Sequence, residues 1–243
     1  MPDQSEVSGH YTHGDLVAAI RKGIESLGKQ VGSVTVDDLA PVDEFHIGGR
    51  QASEDFLGQL ELTPEYVETG KTVCDWLGLD GRVSLHQGSA LELPFADGSF
   101  DRAYMLHVGM NISDKARLCT EVGRVLKGGG VFGVYDVMQT GEGELTFPVP
   151  WATTASSSAV APPAVYREAL QKAGFTVTAE RNRRDFALEF FDRLRARTAA
   201  AGGPPPLGLH ILMGRNTPDK VQNMIANIAG GRIAPVEIIA RKG

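Results

Sequence analysis

The hydrophobic positions of the chain follow a helical rhythm in its first third and an alternation of strands and helices after it. From Asp15, the run DLVAAIRKGIESLG places Leu16, Ile20, Ile24 and Leu27 on one helical face, with Gly28 as the stop. The segment VTVDDLAPVDEFHIGGR, carrying Pro41 and the Gly48-Gly49 pair, loses that period and predicts an irregular loop before QASEDFLGQL resumes it. Thr63 then reads as an N-cap, with Pro64 at the first helical position and Glu65 and Glu68 in the first turn. That helix closes at Gly78.

From Arg82 the pattern changes. RVSLHQ and FDRAYMLHV predict strands on either side of the loop GSALELPFADGS, the second strand almost without charge from Ala103 to Val108. SDKARLCTEVGRVLKGGG predicts a helix with Ser113 as N-cap and Asp114 near the positive end of its dipole. Three glycines end it before the strand VFGVYDVM, completing a β-α-β crossover. Pro148 to Pro163, with TTASSSA between, predicts a flexible insertion. AVYREALQKAGF (helix), TVTAERN (strand), the amphipathic helix RDFALEFFDRLRARTAAAG, the break GGPPPLG, the helix DKVQNMIANIAGG and the strand APVEIIARK complete the chain. The expected architecture is a single α/β domain with a doubly wound, Rossmann-like sheet ending in an antiparallel strand pair. Residues 1–60 form an N-terminal helical lid, residues 61–243 the core, and insertions fall near 141–162 and 201–210.

Composition narrows the picture. At 243 residues and 42% hydrophobic content the chain can bury one full core. A formal charge of -6, with scattered arginines and lysines, offers no basic stripe for nucleic acid. Cys74 and Cys119 lack metal-ligand or disulfide-framework spacing, no metal is implied, and the polar start has no apolar signal region, so a reducing cytoplasm is expected. No run approaches the length of a membrane span.

The positions Gly88, Ala90, Leu93, Pro94, Phe95, Asp97, Ser99, Phe100 and Asp101, followed by RVLKGGGVFGVYDV, resemble the fourth-strand region of class I S-adenosylmethionine-dependent methyltransferases. There a turn after one strand presents backbone amides and small side chains to an adenine edge. The resemblance makes Ser89 and Ala90 adenine neighbours, within the run Gly88 to Leu91, with Leu91 and Pro94 covering an aromatic face. The next element of the family reads L-K-P-G-G; here it is Leu126-Lys127-Gly128-Gly129-Gly130, glycine replacing proline.

VDEFHIGGRQAS and LHVGMNI resemble a narrower group, the small-molecule N-methyltransferases acting on glycine derivatives and phosphobases. That likeness implies that Gly48, Gly49 and Arg50 lie near the methionine carboxylate of the cofactor. It makes His107, at a strand end over the cofactor cleft, the candidate to orient or deprotonate a nucleophile, with His46 and Tyr11 as further candidates. A histidine at a strand end is as often only a hydrogen-bonded core residue. His10, His13, His86 and His210 have no metal-ligand spacing and read as surface or packing residues.

One family feature is missing. No apolar strand, glycine-rich loop, helix and acid-ended second strand precede the third-strand region; Leu60, Glu61, Leu62 and Thr63 run from one helix into the next. Glu61 matches the ribose-binding acid by position, with Leu62 beside it, and a β-α-β unit of roughly 30 residues is absent between Gln59 and Glu61. The inner edge of the strand Asp101 to Val108 then needs a partner, either the strand Arg82 to His86 or a second chain as a homodimer. The expected activity is methyl transfer from S-adenosylmethionine to a small polar metabolite at nitrogen or oxygen. The alternative is a binding or assembly protein that retains a truncated methyltransferase fold.

Overall fold

The computed structural model describes residues 16–43, 46–57, 59, 84, 86, 88–214 and 216–243. Its centre is a mixed sheet of four strands: β1 (Phe100–Leu106), β2 (Leu126–Gln139), β3 (Phe175–Asn182) and β4 (Ile233–Lys242), in the order β1-β2-β4-β3. β1 runs parallel to β2, and β4 pairs antiparallel with both β2 and β3. The antiparallel C-terminal pair is therefore as expected. β2 and β4 are buried on both sides and read as near-continuous apolar runs, as strands covered by helices do.

The alternation of side chains along β2 sorts the helices into two layers. Phe132, Val134 and Met138 pack with Val236, Ile238 and Ala240 of β4 against α4 (Lys115–Val125) and α5 (Pro163–Lys172), through Leu118, Cys119, Val122, Ala169 and Leu170. Val131, Tyr135 and Val137 face the other way. They meet Ala52 and Phe56 of α3 (Gly49–Leu57), Phe191 of α6 (Arg184–Ala200), and Met224 and Ile228 of α8 (Thr217–Ala229). Helices thus lie on both faces, the doubly wound arrangement that the pattern predicts.

The N-terminal helices form a smaller core of their own. Ile24 of α1 (Leu16–Ser26) packs with Val34, Leu39 and Val42 and with Leu207, beside α7 (Leu209–Met213). Gly28 ends the first helix in the left-handed conformation, at φ 73°. Leu39 and Val42 belong to α2 (Val36–Asp43), a helix where an irregular loop was expected. Its start is a capping box: the Thr35 amide donates to Asp38 Oδ2 at 2.8 Å, and the Asp38 amide to Thr35 Oγ1 at 3.4 Å. The box and the buried face outweigh the one hydrogen bond that Pro41 cannot donate inside the helix.

Four further expectations are corrected. The N-cap of α4 is Asp114, whose carboxylate accepts from the Arg117 amide at 2.8 Å, not Ser113. The three glycines do not end the helix: it stops at Val125, and β2 begins at Leu126 and runs through them. Gly129 takes φ 75° inside the irregularity where Phe100 pairs with Leu126 but Arg102 with Val131. The stretch from Gly128 to Gly133 spells G-x-G-x-x-G, yet from Val131 onward it is paired with both β1 and β4, so it forms no anion-binding loop. The segment Pro148 to Pro163 is packed, not a flexible insertion: Val149 and Trp151 are buried, Trp151 Nε1 donates to Ser158 Oγ, and Asn227 bonds both the amide and the carbonyl of Thr146. Lastly, Ser84 and His86, the described members of RVSLHQ, lie outside any strand, so neither extends a strand against β1.

The helix expected from Thr63 to Gly78, and the junction between Gln59 and Glu61, lie outside the described residues. Among the described residues the neighbour of β1 is β2 alone, and Phe100 and Tyr104 of β1 are exposed. On β4, between β2 and β3, the buried Glu237 accepts from Arg181, Arg183 and Gln59. The two guanidiniums compensate a carboxylate that burial alone would penalise.

Candidate functional site

β1 ends at Leu106, and the chain turns sharply at His107, which takes φ 49°. A bulky residue in that conformation stores on the order of 1–3 kcal/mol, which the surroundings must offset. They do so from both directions. The His107 amide donates to the Tyr135 carbonyl at 2.7 Å, extending the β1–β2 ladder by one residue. Its ring lies 5.1 Å from the Tyr135 ring, centroid to centroid, and 5.9 Å from that of His46.

His46 stands in the turn that leads into α3. Its Nε2 is 2.9 Å from Ser53 Oγ, and Gly48 and Gly49 follow it at φ 98° and 50°. Two contacts hold this turn on the sheet. The Tyr135 hydroxyl donates to the Ile47 carbonyl at 3.0 Å, and Gly48 fits so closely that a Cβ there would lie 2.4 Å from the Phe186 ring. Phe56 closes the other side of Tyr135, its ring centroid 5.8 Å away. Two sequence-expected residues, His46 and His107, are thus brought together over a third, Tyr135, which sequence reasoning did not single out.

His107 Nε2 is buried and has no hydrogen-bond partner among the described residues. Burial holds the imidazole well below the usual histidine range, and the neighbouring His46 pushes in the same direction. The ring is neutral at physiological pH, and its Nε2 atom is shielded from water. Such a group can take a proton from a bound nucleophile.

Gly88 to Leu91 belong to a loop that runs along α4 in the same direction as the helix. Arg117, in the first turn of that helix, donates to the Leu91 carbonyl at 2.9 Å. Arg124, in its last turn, donates to Leu93, Phe95 and Asp97. Leu91 therefore sits by the end of α4 that follows the carboxyl end of β1, the end that carries His107. Ala90, Leu91 and Leu93 rest on the main core, and Ser89 Oγ accepts from the Leu91 amide at 3.2 Å, closing the turn. His86 stacks edge-on against Phe95 at 5.1 Å, a packing role.

Arg50 has its backbone in the first turn of α3, while Tyr11, Glu61 and Leu62 lie outside the described residues. Among the described residues no cluster of His, Cys, Asp or Glu is arranged to hold a metal, and no helix is long and apolar enough to cross a membrane. Sequence reasoning also missed a buried trio beside the site: Asp136, Tyr166 and Lys115. Its signal was the lone acid in the apolar run VFGVYDVM, since a buried carboxyl is rare without a partner.

Residues 55–134 match the model of a methyltransferase domain. Over 71 residues the chain is 39% identical to the ubiquinone/menaquinone biosynthesis C-methyltransferase UbiE of Geobacter sp., which is 29% of this chain and 30% of that one. Over 121 residues it is 27% identical to the dimethylglycine N-methyltransferase of Parasynechococcus marenigrum, 50% of this chain and 43% of the relative. The matched region thus spans less than half the length of either relative. In fold, the chain is similar to the geranyl diphosphate C-methyltransferase of Streptomyces coelicolor, with a TM-score of 0.56 at 18% identity, covering 72% of this chain and 57% of that one. It is also similar to the phosphoethanolamine N-methyltransferase 2 of Haemonchus contortus, with a TM-score of 0.51 at 19% identity, covering 63% and 36%. Residues 55–134 thus carry a match to a methyltransferase domain, and the chain is similar to methyltransferases in local sequence and in its open α/β sheet.

Proposed function

We propose that this protein transfers a methyl group from S-adenosylmethionine to a nitrogen or oxygen of a small polar metabolite, with His107 as the base. The observation that carries this reading is the buried Nε2 of a neutral imidazole, without a partner among the described residues, at the carboxyl end of β1. In α/β sheets of this kind, ligands bind outside the carboxyl ends of the strands. When bound, S-adenosylmethionine supplies an electrophilic methyl on a sulfonium. The residues assigned to hold it are Ser89, Ala90 and Leu91 on the adenine side, Glu61 with Leu62 at the ribose, and Gly48, Gly49 and Arg50 at the methionine carboxylate. The fit is supported at two points: the closed Ser89–Leu91 turn, and the two consecutive positive-φ glycines beside His46.

The protein's own contribution is to position and to desolvate. His46, tied to Ser53, and the Tyr135 ring fix the plane of His107. The acceptor's proton passes to His107 Nε2 as its nucleophile takes the methyl, and Tyr11 is a further candidate to orient that nucleophile. The lid over residues 1–60, which carries His46 and the glycine pair, closes the site on this reading. The two scattered cysteines and the absence of a basic stripe agree with action in the cytoplasm without nucleic acid.

A second reading, a non-catalytic assembly protein, has its own observation. No described strand pairs with the outer edge of β1, and the glycine-rich loop is missing from the sequence before that strand. A second copy of the chain is then the partner for the edge. Isothermal titration with S-adenosylmethionine separates the two, methyl transfer predicting saturable binding. No binding at millimolar ligand, with a stable dimer by light scattering, selects the assembly role. Asparagine tolerates the positive φ of position 107, so His107→Asn removes the imidazole with little backbone cost. Activity is expected to fall about 10²- to 10⁴-fold, the range for loss of a general base, while cofactor affinity changes little. An active His107→Asn enzyme would rule out the assigned role.

A further inference from the structure

The buried trio beside the site is connected to His107 by short contacts. Asp136 is fully buried on β2, next in sequence to Tyr135, and accepts from the Tyr166 hydroxyl at 2.5 Å. Lys115 is also buried, its ammonium 5.2 Å above the Tyr166 ring. It donates to the carbonyls of Gly109 and Ala159, each at 2.9 Å, and to that of Ile112. Gly109 and Ile112 bracket the single turn Gly109–Asn111 that follows His107, and the Ala159 amide bonds back to the Met110 carbonyl at 2.7 Å. The turn also presses directly on the acid. A Cβ on Gly109 would lie 2.3 Å from Asp136 Oδ2 and 2.7 Å from the Tyr166 hydroxyl.

A lysine buried among three carbonyls, and an acid buried against a tyrosine, cost desolvation energy that apolar packing would avoid. Neither group lies within the stacked cluster of His46, His107 and Tyr135. What they share is the turn from residue 107 to 112: Lys115 grips its carbonyls, Asp136 and Tyr166 form its floor, and Tyr135 holds its entry by the bond to the His107 amide. We propose that Lys115, Tyr166 and Asp136 are positioning residues that hold this turn, and through it the His107 imidazole, in its left-handed placement against His46 with Nε2 shielded from water. The functional meaning of the trio rests on His107 being the base; the structural claim stands apart from it.

The titratable groups around the turn are His46 and His107 on one side of the sheet, and Lys115, Cys119, Asp136 and Tyr166 on the other. Burial pushes the Asp136 carboxyl up to about 7, the Cys119 thiol up to about 12 and the Lys115 ammonium down. Lys115 and Asp136 face each other and offset part of each other's shift, and the contacts that join the trio to the turn of His107 are the hydrogen bonds from Lys115 and the close packing of Gly109.

The test is a histidine NMR titration of the full chain, which needs neither cofactor nor activity, with His107→Asn to assign the signal. In the native protein the His107 ring titrates well below the ordinary histidine range, held there by burial and by the neighbouring His46. In Tyr166→Phe and in Lys115→Met the turn is released and water reaches Nε2, so the His107 midpoint rises by about one unit or more toward the ordinary histidine value. Asp136→Asn keeps an acceptor for the Tyr166 hydroxyl and leaves His107 where it was. Tyr166→Phe removes one hydroxyl and keeps the ring, so it serves should Lys115→Met fail to fold. A folded Tyr166→Phe protein with an unmoved His107 overturns the proposal, and so does an Asp136→Asn protein in which His107 shifts as far as in Tyr166→Phe. Failure to bind S-adenosylmethionine would end the methyltransferase reading and leave this result intact.

Discussion

At the scale of the residue, the protein depends on a few positions where a side chain or its absence is dictated by neighbours. Gly109→Ala would drive a methyl group into Asp136, Tyr166 and Met105, all within 2.8 Å of its Cβ. The expected loss of stability is about 1–3 kcal/mol, the usual cost of overpacking a full site, read as a lowered midpoint in thermal unfolding. An unchanged midpoint would mean the turn is not pressed on the acid. Asp136 makes a pH-dependent contribution whose sign is the reverse of the usual carboxylate. Its folded value of about 7 exceeds the ordinary 3.8, so between those values the native state holds a proton that the unfolded chain has released. Stability from this group is full below about pH 4, falls as pH rises through the window, and is lost above about 7. Asp136→Asn, which cannot ionise, is therefore expected to gain stability relative to the native protein between pH 5 and pH 8, by up to a few kcal/mol. A parallel pair of stability curves across that range would show that the acid is not buried as described. His107, held below its ordinary value, contributes the opposite slope in both proteins, so it cancels in the comparison.

At the scale of the element, local chemistry decides where helices begin. Asp114 and not Ser113 caps α4, because its carboxylate reaches the free amide of Arg117 three residues on. Asp114→Ala is expected to cost about 1 kcal/mol in chemical denaturation, and Ser113→Ala much less. Equal effects would put the cap back on Ser113. Both residues are good caps by type, and the choice between them depends on which one leaves the turn at residues 109–112 in a non-helical conformation, information the local sequence does not hold. The same reasoning applies to α2. The Thr35 and Asp38 spacing for a capping box is present in the sequence, and in the folded chain Leu39 and Val42 have a core to enter. The glycines from Gly128 to Gly130 read as a helix stop because they are poor helix formers, and they became part of β2 because β1 was there to pair with it.

At the scale of the whole molecule, the arrangement of strands and layers makes one strong demand: whatever cofactor binds must do so at the carboxyl ends of β1 and β2. Binding there to the native state raises stability by mass action, about 2.7 kcal/mol at a ligand concentration one hundred times the dissociation constant. For a chain of this size that is a rise of roughly 5–10 °C in melting temperature. S-adenosylmethionine and S-adenosylhomocysteine are expected to produce it, and a flat melting temperature with both at millimolar concentration would point to the assembly role. The measurement also bears on the edge of β1, since a cofactor held without the glycine-rich loop would need other amides, and those of the Gly48-Gly49 turn are the ones assigned.

The sequence by itself determined the alternation of elements from Phe100 onward, the antiparallel closing pair, the family likeness and the two histidines of the candidate site. These follow from hydrophobic period and from short runs whose chemistry is local, such as Leu93 to Asp101. Only the tertiary structure decided that Tyr135 would lie beneath His107 and His46, that Lys115 and Tyr166 would meet Asp136, and that the segment from Pro148 to Pro163 would be packed around Trp151. Each of these joins residues far apart in the chain, across a β-α-β crossover or between a lid turn and a strand, and no period or spacing encodes which distant side chains share one buried space.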